Sequence, residues 1–214
     1  MSARGQLRII GGRWRSRRLR CADAPGLRPS ADAVRETLFN WLPHSLRGQV
    51  CLDLFAGSGA LGFEAASRDA ARVVMVESNR VAAAQLRANR DQLGAHDDAI
   101  EIIALTAQNF LRRHCAERGA KRGFDLVFLD PPFDGDALAP ACRDLQRRGL
   151  LNPDALVYIE SPHAANTPLP IPAAWHIIRH KRCGRVRATL LRADAEPLRD
   201  ASRAQSISTS EQSA

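Results

Sequence analysis

The spacing of apolar positions changes several times along the chain, and each change marks an element. Val34, Leu38, Trp41 and Leu42 recur at i, i+4, i+7 and i+8, the stripe of an amphipathic helix. Ser30 offers a capping hydroxyl at its start and Pro43 stops it. From Gln49 onward short apolar runs take over, at 50–55 (VCLDLF), 72–77 (RVVMVE), 100–105 (IEIIAL), 124–130 (FDLVFLD) and 155–160 (ALVYIE). Helical stretches near 59–68, 79–93, 106–117 and 136–149 separate them, the second closed by Gly94. Strands that are apolar on both faces and alternate with helices predict an α/β fold, a doubly wound and mostly parallel sheet covered on both sides. The alternation breaks at residues 175–193, which read as two strands joined near Cys183-Gly184 without a helix. That hairpin puts an antiparallel strand into the sheet. Beyond Asp194 the chain turns polar and is expected to be a disordered tail, 194–214.

Ahead of this domain (29–193) lies a basic segment, 1–28, with a pattern of its own. Two strand-like runs flank Gly11-Gly12 in LRII-GG-RWRSRRL, and that dipeptide readily takes the positive φ of a hairpin turn. Alternation on the second arm sends Arg13, Arg15 and Arg17 to one face and Trp14 to the other. A two-stranded hairpin is marginal alone in water, so it must lean on the main domain or on a ligand. Residues 21–30 read as a linker with turn residues.

Charge sharpens this reading. The 214 residues carry a formal net charge of +8, which suits a protein that meets nucleic acid or another anionic surface. Only Lys121 and Lys181 are lysines, so part of the arginine richness reflects genome composition. The asymmetry does not: residues 1–28 hold eight arginines against the single acid Asp23. We take Arg13, Arg15, Arg17, Arg18 and Arg28 as RNA-binding candidates. No run of eighteen apolar residues exists and the N-terminus has no apolar signal region, so a cytoplasmic protein with no membrane segment is expected. Five dispersed cysteines without a C-x-x-C pair argue for reduced, mostly buried thiols, and no metal site is expected from them or from the six histidines.

Candidate chemistry begins directly after the first strand of the α/β region, at Asp53-Leu54-Phe55-Ala56-Gly57-Ser58-Gly59. Gly57, Gly59 and Gly62 satisfy G-x-G-x-x-G, where glycines allow a sharp turn and close approach of a ligand to the backbone. Glu77 ends the next strand twenty residues past Gly57, where an acid can bind both ribose hydroxyls of an adenosine. A pyrophosphate would be repelled by Asp53, whereas S-adenosylmethionine, with its ammonium and sulfonium, would be attracted. Asp53 acting only as a cap on its own loop is the competing reading.

The second cluster is Asp130-Pro131-Pro132-Phe133, after the strand that faces the first across the switch point of a doubly wound sheet. An amine conjugated to a base ring is a poor nucleophile because its lone pair is delocalised. Asp130 and the Pro131 carbonyl can accept its two N–H bonds and aim the lone pair at a methyl group. The prolines stiffen the loop and remove competing donors, and Phe133 offers a face for stacking an extruded base. The plainer reading is a strand cap, two turn prolines and a core phenylalanine.

Asp-Pro-Pro-Phe together with the 53–59 turn resembles the class I amino-methyltransferases. The segments RIIGGRWRSRRL (8–19), GLRPSADAVRETLFNWL (26–42) and CLDLFAGSGALGFEAASR (51–68) are similar, more narrowly, to the bacterial 16S ribosomal RNA guanine-N2 methyltransferase D family, from about Leu7 to Arg192. The resemblance implies a Rossmann-like, seven-stranded sheet with the last hairpin inserted antiparallel. It implies methyl transfer from S-adenosylmethionine to N2 of a guanine in small-subunit RNA, by a monomer that needs no metal. Asp53, Ala56, Gly57 and Gly59 would then hold the methionine end, Glu77 the ribose, and Thr106-Ala107 the adenine. Asp130 to Phe133 would hold the target base, and Arg28-Pro29-Ser30 would close over the cofactor. Thr106 departs from the family, which usually has Asp or Asn there to meet the adenine amine. Three rivals remain: an amino-methyltransferase acting on adenine N6, a nicotinamide-dependent reductase using the glycine turn, and a non-catalytic RNA-binding module.

Overall fold

The computed structural model describes residues 5–22, 32–114, 123–133, 136–162 and 168–194. Five strands, β3 (Val50–Asp53), β4 (Arg72–Val76), β5 (Ile100–Ile103), β6 (Phe124–Leu129) and β7 (Leu151–Pro162), alternate with α2 (Ala60–Ser67), α3 (Arg80–Gln92), α4 (Ala107–Arg113) and α5 (Leu138–Arg147). Two more, β8 (Trp175–Cys183) and β9 (Val186–Ala193), close the sheet in the order β5-β4-β3-β6-β7-β9-β8. β3 to β7 are parallel, and β9 lies antiparallel between β7 and β8. This is the expected mixed sheet of a class I methyltransferase fold, and its order reverses between β3 and β6. At that switch point the loops after two neighbouring strands diverge and leave a crevice at the carboxyl edge.

Both faces of the sheet are buried. Cys51, Met75, Phe128, Tyr158 and Leu190 point to the face covered by α1 (Asp32–Trp41), α2 and α3. Leu52, Val74, Val127, Ile159 and Leu191 point to the face covered by α4 and α5. No helix among the described residues is long and apolar enough to cross a membrane.

The basic hairpin is built differently from its expected form. Its strands are β1 (Gln6–Arg8) and β2 (Arg18–Arg20), and Gly11-Gly12 is one part of a long connection rather than a two-residue turn. Ile9 donates its N–H to the Arg17 carbonyl and accepts from Ser16 N–H, both at 2.9 Å. Two residues thus face one, and Ser16 sits at φ 68°, the geometry of a bulge. Arg13 and Arg15 therefore lie in turns, yet Trp14 still turns inward and the arginines outward. Leu7, Ile9, Trp14 and Leu19 join the same core as α1 and α2, so the hairpin is a wall of the domain.

Its anchor is polar. Glu64 on α2 is fully buried and accepts from the backbone N–H groups of Ile10 and Gly11, both at 2.8 Å. Arg68 donates Nε to it at 3.0 Å, and the buried Arg35 lies 3.8 Å away. Gly12 admits no side chain, since a Cβ there would fall 1.8 Å from the Ser67 carbonyl oxygen.

Two further boundaries differ from expectation. α4 ends at Arg113 rather than near residue 117, because the His114 ring stacks on Phe110 and hydrogen-bonds its carbonyl oxygen at 2.8 Å. β7 begins at Leu151, ahead of the expected 155, with an irregularity against β6 where Asn152 bonds both backbone groups of Gly123. The expected tail, 195–214, lies outside the described residues.

Candidate active site at the carboxyl edge

Four loops meet where the parallel strands end: those after Asp53, Val76, Ile103 and Leu129. Each carries part of the sequence constellation. After β3 the chain turns sharply through Gly57 (φ 52°) and Gly59 (φ 78°) into α2. A Cβ on Gly59 would lie 2.6 Å from Phe63 and Leu86, and one on Gly62 would lie 2.6 Å from the Met75 side chain. The glycines therefore let α2 pack directly against β4 and bring the turn down onto the strand ends.

Asp53 is 2% exposed, and one of its oxygens accepts the Gly62 N–H at 3.0 Å. It does cap its own loop, as the plainer reading held. That leaves a buried negative charge held by neutral amides. Burial pushes its carboxyl up to about 7, opposed by the backbone amides of Gly62 and Phe55 and reinforced by the charges of Asp130 and Glu77. A cation placed beside it would relieve this cost, so the residues present fit the ammonium end of S-adenosylmethionine and would reject a phosphate.

Glu77 follows β4 and is nearly buried. It accepts Gly57 N–H at 2.8 Å with one oxygen and Asn79 N–H at 2.6 Å with the other. Each oxygen keeps a second lone pair, the number needed for two vicinal hydroxyls. Thr106 and Ala107 lie beyond β5, with the Thr106 hydroxyl accepting Asn109 N–H at 3.2 Å as the cap of α4. Ala56 is buried in the turn and donates its N–H to the Val76 carbonyl.

Across the switch point, Asp53 pairs in register with Phe128, so Asp130 emerges beside the glycine turn. Asp130 is half-buried, Pro131 buried, and Phe133 is 48% exposed. The exposure rules out a core role for Phe133. Arg28, Pro29 and Ser30, expected to close over the cofactor, lie outside the described residues. Arg13, Arg15, Arg17 and Arg18 are exposed, but their hairpin tip is tied to the far end of α2, where Arg13 N–H meets the Ser67 carbonyl at 2.7 Å. That is one helix length, about 12 Å, from the glycine turn.

A second group of exposed cations lies on the sheet itself, on its edge strand β8, three strands from β6. β8 runs parallel to β7, so the β8–β9 turn reaches the carboxyl edge, with Cys183, Val186 and Pro162 in register. Residues 175–193 contain no acid, and Arg179, His180, Lys181, Arg182 and Arg185 are all exposed. The sequence held a signal for this, an acid-free basic strand, which its regular strand pattern obscured.

The protein family described as conserved hypothetical protein 95 matches residues 7–192. The chain belongs to that family. The ribosomal RNA small subunit methyltransferase D of Escherichia coli (strain K12) is 42% identical over 94% of this chain and 96% of its own length. Its namesake in Haemophilus influenzae is 40% identical over 86% of this chain and 92% of its own. A solved structure of a methyltransferase from Escherichia coli superimposes with a TM-score of 0.78 at 40% identity, covering 90% of this chain and 100% of that one. This chain is thus an S-adenosylmethionine-dependent methyltransferase on a class I fold. The reductase and the non-catalytic module fall away.

Proposed function

We propose that this methyltransferase acts in the bacterial cytoplasm on 16S ribosomal RNA of the small subunit, and that it methylates the N2 amine of one guanine. The observation that carries the amine chemistry is Asp130-Pro131-Pro132-Phe133 set beside the Asp53 glycine turn across the switch point. The close relation to the small-subunit enzymes supports the choice of RNA, and the family resemblance of segments 8–19, 26–42 and 51–68 points to guanine.

Bound S-adenosylmethionine would supply an activated methyl group on a sulfonium. The chain's own residues do the rest by positioning and charge. Asp53 and the backbone of Ala56, Gly57 and Gly59 would hold the methionine end, Glu77 would hold the ribose, and Thr106-Ala107, at the start of α4, would lie along the adenine. Phe133 stacks on the extruded base. Asp130 and the Pro131 carbonyl accept the two amine N–H bonds, turning the nitrogen lone pair toward the methyl group, and Asp130 takes the surplus proton. Transfer of tritiated methyl to small-subunit RNA, but not to large-subunit RNA or DNA, is the expected result of a substrate panel. Label entering DNA instead would favour the adenine N6 reading.

The charge of Asp53 gives a pH signature. Its acid form dominates below about pH 7, so binding a cationic ligand there must first displace a proton. Affinity for S-adenosylmethionine should be flat above about pH 8 and fall about tenfold per unit below pH 7. Asp53→Asn should weaken binding and abolish that slope. The folded-state value lies above the unfolded one, so ionisation costs the cofactor-free protein stability as pH rises from about 4 to 7. Asp53→Asn should therefore be the more stable protein above pH 7, and a calorimetric titration with thermal melts at two pH values checks both signs.

The β8–β9 cations and the arm arginines are proposed to grip phosphates on the two sides of the target base. Reversing Arg179, Lys181 and Arg182 to glutamate should raise KM for RNA and leave kcat and cofactor affinity alone. For every phosphate no longer neutralised, the salt dependence of binding should flatten by about 0.7 in log–log slope. An unchanged slope would remove this surface from the RNA path.

A further inference from the structure

We propose that Glu160 determines which base the pocket accepts, by taking the ring N1–H of guanine. This deepens the reading above and rests on it. Glu160 lies near the end of β7, one strand from Asp130. Phe128 pairs with Tyr158 and Leu129 with Ile159, so continuing the register places Asp130 opposite Glu160. The Tyr158 hydroxyl donates to the Glu160 carboxylate at 3.1 Å, which fixes that carboxylate on the Tyr158 side of the sheet. Phe128 contacts Tyr158 on the same side, with ring centroids 6.5 Å apart, and strand alternation brings Asp130 there as well. The two acids thus stand on neighbouring strands at the carboxyl edge, on the same side of the sheet, their backbones about one strand spacing, 4.8 Å, apart.

The phenol is a reliable donor. Burial, and then the charges of Glu160 and Asp130, push Tyr158 far above its ordinary value. Glu160 is 3% exposed, so little water competes with a ligand's N–H for its carboxyl oxygens. A guanine suits this pair: its Watson–Crick edge carries N1–H beside the N2 amine, two adjacent donors for two adjacent acids. With the amine on Asp130, N1–H falls to Glu160. Adenine presents a bare N1 lone pair at the corresponding place, which would face a carboxylate with no proton between them. Sites built around a specific hydrogen bond reject the analogue lacking it by about 10⁴-fold.

The test compares RNA carrying guanine at the target with RNA carrying 2-aminopurine, which keeps the 2-amine but has no N1–H. Wild-type protein should favour guanine by about 10³-fold or more in kcat/KM. In Glu160→Gln the side-chain amide can donate to the bare N1, and the preference should shrink about a hundredfold. Tyr158→Phe, which frees the carboxylate from its orienting donor, should shrink it about tenfold and serves if the glutamine variant folds poorly. A Glu160 that merely supports the fold would lower both substrates together and leave the ratio unchanged, and that result in both variants overturns the inference. Wild-type protein that fails to methylate the guanine RNA would instead overturn the underlying reading.

Discussion

Asp130→Ala should leave the fold and most of the cofactor affinity intact while slowing methyl transfer by about a hundred- to a thousandfold, roughly 3–4 kcal/mol in the barrier. The base amine is nearly flat before reaction and tetrahedral at the transition state. An acceptor that follows its N–H bonds through that change counts most when the bond to carbon forms, so its loss falls on kcat rather than on binding. The two prolines after Asp130 carry no N–H that would compete with the amine for the acceptors of this loop. Phe133→Ala should act differently, weakening capture of the extruded base by about 1–3 kcal/mol, whereas Phe133→Tyr retains the ring and the function. Single-turnover transfer with saturating cofactor and RNA separates these effects. A near-normal rate for Asp130→Ala would move the chemistry elsewhere.

The largest stability effect is expected at Glu64, far from the chemistry. Its carboxylate is fully buried and joins three parts of the chain: the hairpin amides of Ile10 and Gly11, Arg68 just past the end of α2, and Arg35 on α1. Arg35 is 1% exposed, and among the described residues its Nε and Nη1 have no hydrogen-bond partner. Among the described residues its charge is balanced by Glu64 and by Asp32, the latter at 2.7 Å. Glu64→Ala would leave the Arg35 charge to Asp32 alone and strip two backbone donors of their buried acceptor, at a cost of about 3–5 kcal/mol, a large share of the stability of a typical domain. Arg15→Ala, on an exposed turn, should cost less than about 0.5 kcal/mol. Urea unfolding of both variants checks the contrast. A loss below about 1 kcal/mol for Glu64→Ala would mean that the hairpin is held by its apolar residues alone.

Glu64 also shows where the sequence stops being informative. The segment 60–67, ALGFEAAS, reads as a helix, but nothing local says that all of it is buried. That follows from a hairpin more than fifty residues earlier lying across it. The sheet was legible because its strands are apolar on both faces and each run stands alone between turns. The glycine turn, Glu77 and the Asp130 loop were legible because strand–turn–helix punctuation fixes their place at the carboxyl edge without knowledge of distant contacts. The turn of the basic hairpin was not: Gly11-Gly12 has the favoured chemistry, but a bulge at Ser16 moved the second strand to Arg18. Distance from the crevice was likewise invisible in the arginine count, and Glu160 read as the end of a core strand until the register set it opposite Asp130.

The chemistry comes down to one bond, between a methyl carbon and the N2 nitrogen of a guanine. Incubating the protein with S-adenosylmethionine and unmodified small-subunit RNA, digesting the product to nucleosides and separating them by mass spectrometry reads that bond directly. A single new species is expected, N2-methylguanosine, at no more than one per RNA molecule. N6-methyladenosine, or a methyl group spread over many positions, would contradict it.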